Sequence, residues 1–134
     1  MNRLILALAL TPALLVTAAS AQTVSDDVSK QLWCGSAMVA AFSNPPSEGV
    51  TQEQLDQAKL YVDGGTQLIE MASQAHLDAG FTQEALDKLK AEIVEEVTVV
   101  VTGTGEGAKY SFEECEAILP AATDASSSSS SSAM

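Results

Sequence analysis

The chain has 134 residues, enough for one domain and crowded for two. Its 18 Asp and Glu against 6 Lys and Arg give a formal net charge of −12. That excludes a nucleic-acid binder working through a basic patch, because the phosphate backbone would repel this surface. Hydrophobic residues make up 46% of the chain and aromatic ones 4%, an apolar content that builds a small core and excludes a wholly disordered chain.

Residues 1–21 read as a secretory signal. Arg3 gives a short positive start, Leu4 to Val16 is an apolar run bent at Thr11-Pro12, and Ala19-Ser20-Ala21 supplies the small residues a signal peptidase needs. Cleavage is expected between Ala21 and Gln22. A transmembrane anchor would need about 18 or more apolar residues, and this run is shorter and holds Pro12. No Cys stands at the cleavage site, which argues against a lipoprotein, and no later segment is apolar enough to span a bilayer. Loss of Arg3 takes the net charge to about −13. The expectation is a soluble protein of an oxidising compartment, periplasmic or secreted. Asn44 precedes Pro45 and Asn2 lies in the signal, so neither is an N-glycosylation acceptor.

A polar lead-in, 22–27, precedes a first predicted helix over Val28 to Phe42, whose apolar residues include Leu32, Met38 and Val39. Ser43-Asn44-Pro45-Pro46-Ser47-Glu48-Gly49 is a loop. Thr51-x-x-Gln54 is a capping box and opens a second helix. There Leu55, Ala58, Val62, Gly65, Ile69, Ala72, His76 and Ala79 alternate spacings of three and four, a heptad stripe. Its half at Ala58, Gly65, Ala72 and Ala79 is small, which lets another helix approach closely. The stripe predicts one helix from Gln52 to Ala79, about 42 Å long. Gly64-Gly65 argues for a kink or break, at about 1 kcal/mol per glycine. Packing inside the chain and a seam between two copies, a homodimer, both fit the stripe.

Gly80 suits a C-cap and Thr82 an N-cap. The third helix then carries Leu86, Leu89, Ile93, Val97 and Val100 on one face, with Glu84 and Lys88 as an i,i+4 pair on the other. Val97 to Val101 is β-branched and reads as a strand in the alternative, but the helical period runs into it unbroken. The Gly103-Thr104-Gly105-Glu106-Gly107 stretch lacks the spacing of a phosphate or dinucleotide loop and reads as a linker. Ser111-x-x-Glu114 is a second capping box, opening a short helix to about Leu119 with Phe112, Cys115 and Leu119 inside. Pro120 ends it. Residues 121–134, with seven consecutive serines, read as a disordered tail.

The predicted fold is therefore all-α. It is a small bundle of three long helices plus one short C-terminal helix, spanning 22–120 and stapled by one disulfide. Cys34 and Cys115 are expected to pair, since two cysteines in an exported chain most often do. Their bond would close a loop of 81 residues, worth about 4.5 kcal/mol by loop-closure entropy at most. Cys34-Gly35-Ser36 echoes a cysteine-protease signature, but Ala37 and Met38 depart from it. Trp33 is expected to pack on the disulfide, with Tyr61 and Tyr110 covering the same region.

His76 reads first as a packed or capping histidine and second as a pH sensor or lone ligand. A zinc site needs three or four ligands, and no second His is present. Glu113, Glu114 and Glu116, like Glu92, Glu95 and Glu96, read as solvated helix faces. No catalytic triad, cofactor motif or nucleophile elbow is found, and the chain is not expected to be an enzyme.

Trp33-Cys34 in the first helix and Tyr110-Ser111-Phe112-Glu113-Glu114-Cys115 in the last resemble small exported bacterial helical proteins with one disulfide and no assigned function. A looser likeness is to the acid-stress periplasmic chaperones, and it implies holdase activity at low pH. The wider cysteine spacing and stronger negative charge depart from that pattern. The leading expectation is a non-enzymatic interaction protein with a protein partner, in one version a holdase. The alternatives are an inhibitor or immunity protein for an envelope enzyme, and a carrier of an apolar small ligand.

Overall fold

The computed structural model describes residues 22–119. The segment read as a signal, 1–21 with Ala21, and residues 120–134 with the serine run, read as a tail from 121, lie outside the described residues. The described residues form four helices, three long and one short.

Helix α1 spans Asp26–Phe42. It begins ahead of the predicted Val28, because the Ser25 side chain caps it by accepting from the Val28 N–H and Asp26 and Asp27 fill the first turn. Acidic side chains there complement the helix dipole. Five consecutive residues, Leu32, Trp33, Cys34, Gly35 and Ser36, are buried. A helix buried on all sides is one that others surround, and α1 packs against each of the other three.

Helix α2 spans Gln52–Asp78 and starts at the expected capping box of Thr51 and Gln54. The helix runs unbroken through Gly64-Gly65, as the stripe predicts, and the alternative of a kink or break is not realised. The physical reason is the neighbour. A Cβ at Gly35 would lie 2.5 Å from the Gly65 carbonyl oxygen, and one at Gly65 would lie 2.8 Å from the Gly35 oxygen. On the adjacent face, a Cβ at Gly64 would lie 2.9 Å from Leu119 Cδ2. Backbone-to-backbone approach offsets the helix cost of the two glycines.

The heptad stripe is borne out at Ala58, Gly65, Ala72 and His76 and corrected at its two ends, Leu55 and Ala79. Ala58, Gly65, Ala72 and His76 are buried, Val62 and Ile69 are half-buried, and Leu55 and Ala79 are exposed. Gly64 and Leu68 are buried instead. The inner face is turned toward these two because α1 crosses at Gly65 while the C-terminal segment covers Gly64. Ala58, Gly65 and Ala72 are thus covered within the chain.

At the end of α2, Gly80 takes φ +94°. The Phe81 N–H donates to the His76 oxygen at 3.1 Å and the Gly80 N–H to the Leu77 oxygen at 3.0 Å. This is a Schellman cap.

Helix α3 spans Gln83–Thr102 with Thr82 as N-cap. Val97 to Val101 is helical, not a strand. Leu86 and Val97 are buried, and Leu89, Ile93 and Val100 are half-buried on the same face. That face lies mainly on α1. Lys88 pairs with Glu92 at 3.9 Å rather than with Glu84.

Helix α4 spans Phe112–Glu116, opened by the Ser111 and Glu114 capping box. It is shorter than expected. Cys115 and Leu119 are buried, whereas Phe112 is 50% exposed, a correction to its predicted inward place. The Cys34–Cys115 disulfide is formed, with Cα atoms 5.1 Å apart, and ties α4 to α1. No helix among the described residues is long and apolar enough to cross a membrane.

Candidate binding cleft

The disulfide holds α4 beside α1, and α3 lies along another side of α1. The space left between them is a cleft of about 280 Å³. Trp33, Ala37, Met38, Ala41 and Phe42 of α1 form its floor. Val100 and Val101 of α3, Gly105, Ala108 and Tyr110 of the connecting loop, and Phe112 and Cys115 of α4 form its walls. Apolar side chains dominate this lining, the usual character of a site that takes an apolar group.

Two aromatic groups frame the cleft. At one end Tyr110 meets Trp33 edge-on, with ring centroids 5.6 Å apart. The indole N–H donates to Glu96 Oε1 at 3.0 Å, so the polar edge of Trp33 is satisfied on α3. Lys30 lies over the Tyr110 ring at 5.5 Å and pairs with Glu114 at 3.7 Å. Further along α1, Phe42 packs on Tyr61 at 4.6 Å, and Tyr61 meets Phe112 at 5.6 Å. Tyr61 therefore sits with Phe42, not over the disulfide as expected, while Tyr110 does flank Trp33.

Two titratable groups at the cleft are shifted. The Tyr61 hydroxyl donates to Glu116 Oε1 at 2.7 Å. That bond, with burial, pushes its pKa up from 10.0, against a smaller opposite effect of Gln57. Glu114 accepts from the Ser111 backbone N–H at 2.8 Å. This bond, then the Ser111 side chain and Lys30, holds its carboxyl below the ordinary carboxylate value.

His76 lies elsewhere, on a second cavity of about 170 Å³ between α1 and α3 that Glu92, Glu96 and Lys109 also line. It is 2% exposed. Its Nδ1 is 2.6 Å from the Ala72 carbonyl oxygen, which only accepts, so Nδ1 carries the proton. The ring meets Phe81 edge-on at 4.9 Å and completes the helix cap. His76 is thus a packed, capping residue, as first read. Among the described residues no group of three or more His, Cys, Asp and Glu is placed to hold a metal ion. Gln22, the expected first residue after cleavage, donates from Nε2 to the Gly80 oxygen at 2.6 Å.

The bonds of Glu96 to Trp33 and of Glu116 to Tyr61 were not readable as anything but solvated glutamates. They join residues 63 and 55 positions apart, and no local spacing encodes such pairs. Val101 was read only for its secondary structure and Ala108 not at all; their apolar character at a helix end and on a glycine-rich loop was the one available signal of a site.

The chain matches no family model, and no curated protein or solved structure is significantly similar to it.

Proposed function

We propose that this is an exported, non-enzymatic interaction protein that seats an apolar group of its partner in the α1–α3–α4 cleft. The observation that carries the reading is the cleft itself: a preformed apolar hollow, half open, with an aromatic group at each end. Phe112, 50% exposed, lines the cleft and presents part of its ring to solvent there. In this reading residues 1–21 direct export to the periplasm or the medium and are removed before Gln22. N-terminal sequencing of the exported protein tests that part, and an intact Met1 rejects it.

Trp33 is the single tryptophan and lines the cleft, so its fluorescence reports occupancy. Uncharged N-phenyl-1-naphthylamine is expected to change it saturably. Ala41→Gln, at an exposed position on the cleft floor, is expected to weaken that binding severalfold. No response from the wild-type protein rejects the cleft as a site.

A second reading, a carrier of a small apolar ligand, draws on the same hollow. Its volume of about 280 Å³ is at the lower edge of small-ligand pockets, roughly 300–1,000 Å³. Native mass spectrometry of freshly purified protein separates the two, since a carrier retains co-purified mass.

A further inference from the structure

We infer that the cleft's occupant is a cationic amphipathic peptide segment, with an apolar side chain in the hollow and lysine or arginine on the carboxylates around it. This rests on the reading of the cleft as a partner site and names the partner's chemistry.

Charge is the first ground. The wall from Val101 to Ala117 carries Glu106, Glu113, Glu114 and Glu116 against the single Lys109. The floor and following loop, Ala37 to Gly49, carry Glu48 and no base. All five carboxylates are exposed. Glu48, Glu106 and Glu113 have no ion-pair partner among the described residues. The nearby Lys30 is engaged by Glu114 and the Tyr110 ring. An anionic guest would meet uncompensated repulsion, and a cationic one would relieve it.

Shape is the second ground, and it distinguishes a peptide from a small cation. The apolar surface does not stop at Phe42. A neighbouring groove of about 410 Å³ shares Ala41 and Phe42 with the cleft and continues over Pro45 and Ala58 to Glu48. Two hollows that share Ala41 and Phe42, with Glu48 lining the second and Glu113 following Phe112 of the first in the chain, suit a segment that offers two apolar anchors and charge on its other face.

The test uses the protein expressed with its own leader and purified oxidised. Three probes are titrated while Trp33 fluorescence is read. They are an amphipathic Leu/Lys helix of about 18 residues, its Leu/Glu counterpart, and uncharged N-phenyl-1-naphthylamine. In about 20 mM salt the Leu/Lys peptide is expected to bind one to one, at least about tenfold tighter than the Leu/Glu peptide. That preference should shrink to about threefold or less near 0.5 M salt. The triple variant Glu48→Lys, Glu106→Lys, Glu113→Lys should lose about tenfold for Leu/Lys and leave the naphthylamine unaffected. Ala41→Gln should weaken both.

Peptides binding within about threefold of each other at low salt overturn the inference, as does an unchanged triple variant. Undiminished Leu/Lys binding to Ala41→Gln also overturns it, because the peptide then adheres by charge alone. In each case, continued naphthylamine binding leaves the cleft reading intact. If no probe alters Trp33, the cleft reading itself fails.

Discussion

A methyl group added at Gly35 would meet the Gly65 carbonyl oxygen at 2.5 Å and the Ile69 backbone nitrogen at 3.1 Å. Backbone cannot swing aside as a flexible side chain can. Gly35→Ala should therefore destabilise the fold by about 1–3 kcal/mol of overpacking, even after the gain of about 1 kcal/mol in helix propensity. Urea denaturation of the oxidised variant measures it, and a more stable protein would refute the close crossing. Tyr61 offers a second check at this scale. Its folded pKa is raised, so the stability it contributes is present below pH 10 and lost as pH climbs through the raised value. Glu116→Gln should bring the tyrosine's titration back down toward its ordinary range, followed by ultraviolet absorbance or NMR. The caps at Thr51 and Ser111 were legible in the sequence because each is a three-residue spacing, and Thr82 because a threonine follows the helix-ending Gly80. The partners of Trp33 and Tyr61 were not, because only the folded chain brings their carboxylates near.

Among the elements, the helices themselves were legible from their period and caps, and so was the pairing of Cys34 with Cys115. The rotation of α2 was not. Its stripe specified which residues were small, but Gly64 is buried by Leu119, a contact from the far end of the chain. The disulfide has the largest predicted effect. It is the covalent link between α4 and α1 across an 81-residue separation. Reduction, or Cys34→Ser with Cys115→Ser, should cost about 2–4.5 kcal/mol. It should also abolish the naphthylamine response before global unfolding, since the α4 wall of the cleft is freed. Parallel titrations of Trp33 fluorescence and far-ultraviolet circular dichroism, with and without reductant, decide the order. Loss of both signals together would show that the staple supports the whole bundle rather than one wall.

Across the whole molecule, α1 is the helix on which the others pack, while α2 and α3 touch one another little. The cleft draws on two distant stretches, 33–42 of α1 and 100–115 from the end of α3 through the loop to α4, whose apolar residues carry no joint pattern. That is why the fold could be read in the sequence and the candidate site could not. The excess of carboxylates belongs to this scale as well. Glu114 has its pKa lowered in the folded state, so its contribution is present above the unfolded value and lost as pH falls through the folded one. Acidification also removes the excess of 18 Asp and Glu over 6 Lys and Arg that gives the chain its net charge of −12. The urea midpoint should be lower at pH 3 than at pH 7. If light scattering at pH 3 shows suppression of an aggregating client, the holdase expectation gains support; an equally stable, inert protein at both pH values removes it.

The order of synthesis adds a consequence of placing α1 at the centre. The helix that the others surround is the first of the described helices to be made, and it emerges with Leu32, Trp33, Met38 and the Cys34 thiol uncovered. Cys115 follows 81 residues later, close to the end of the described chain. Until then Cys34 has no correct partner within its own molecule, and the last wall of the cleft does not exist. A partly synthesised chain is therefore a species with an open apolar helix and a free thiol. Its fate depends on what shields that helix while the rest of the chain arrives.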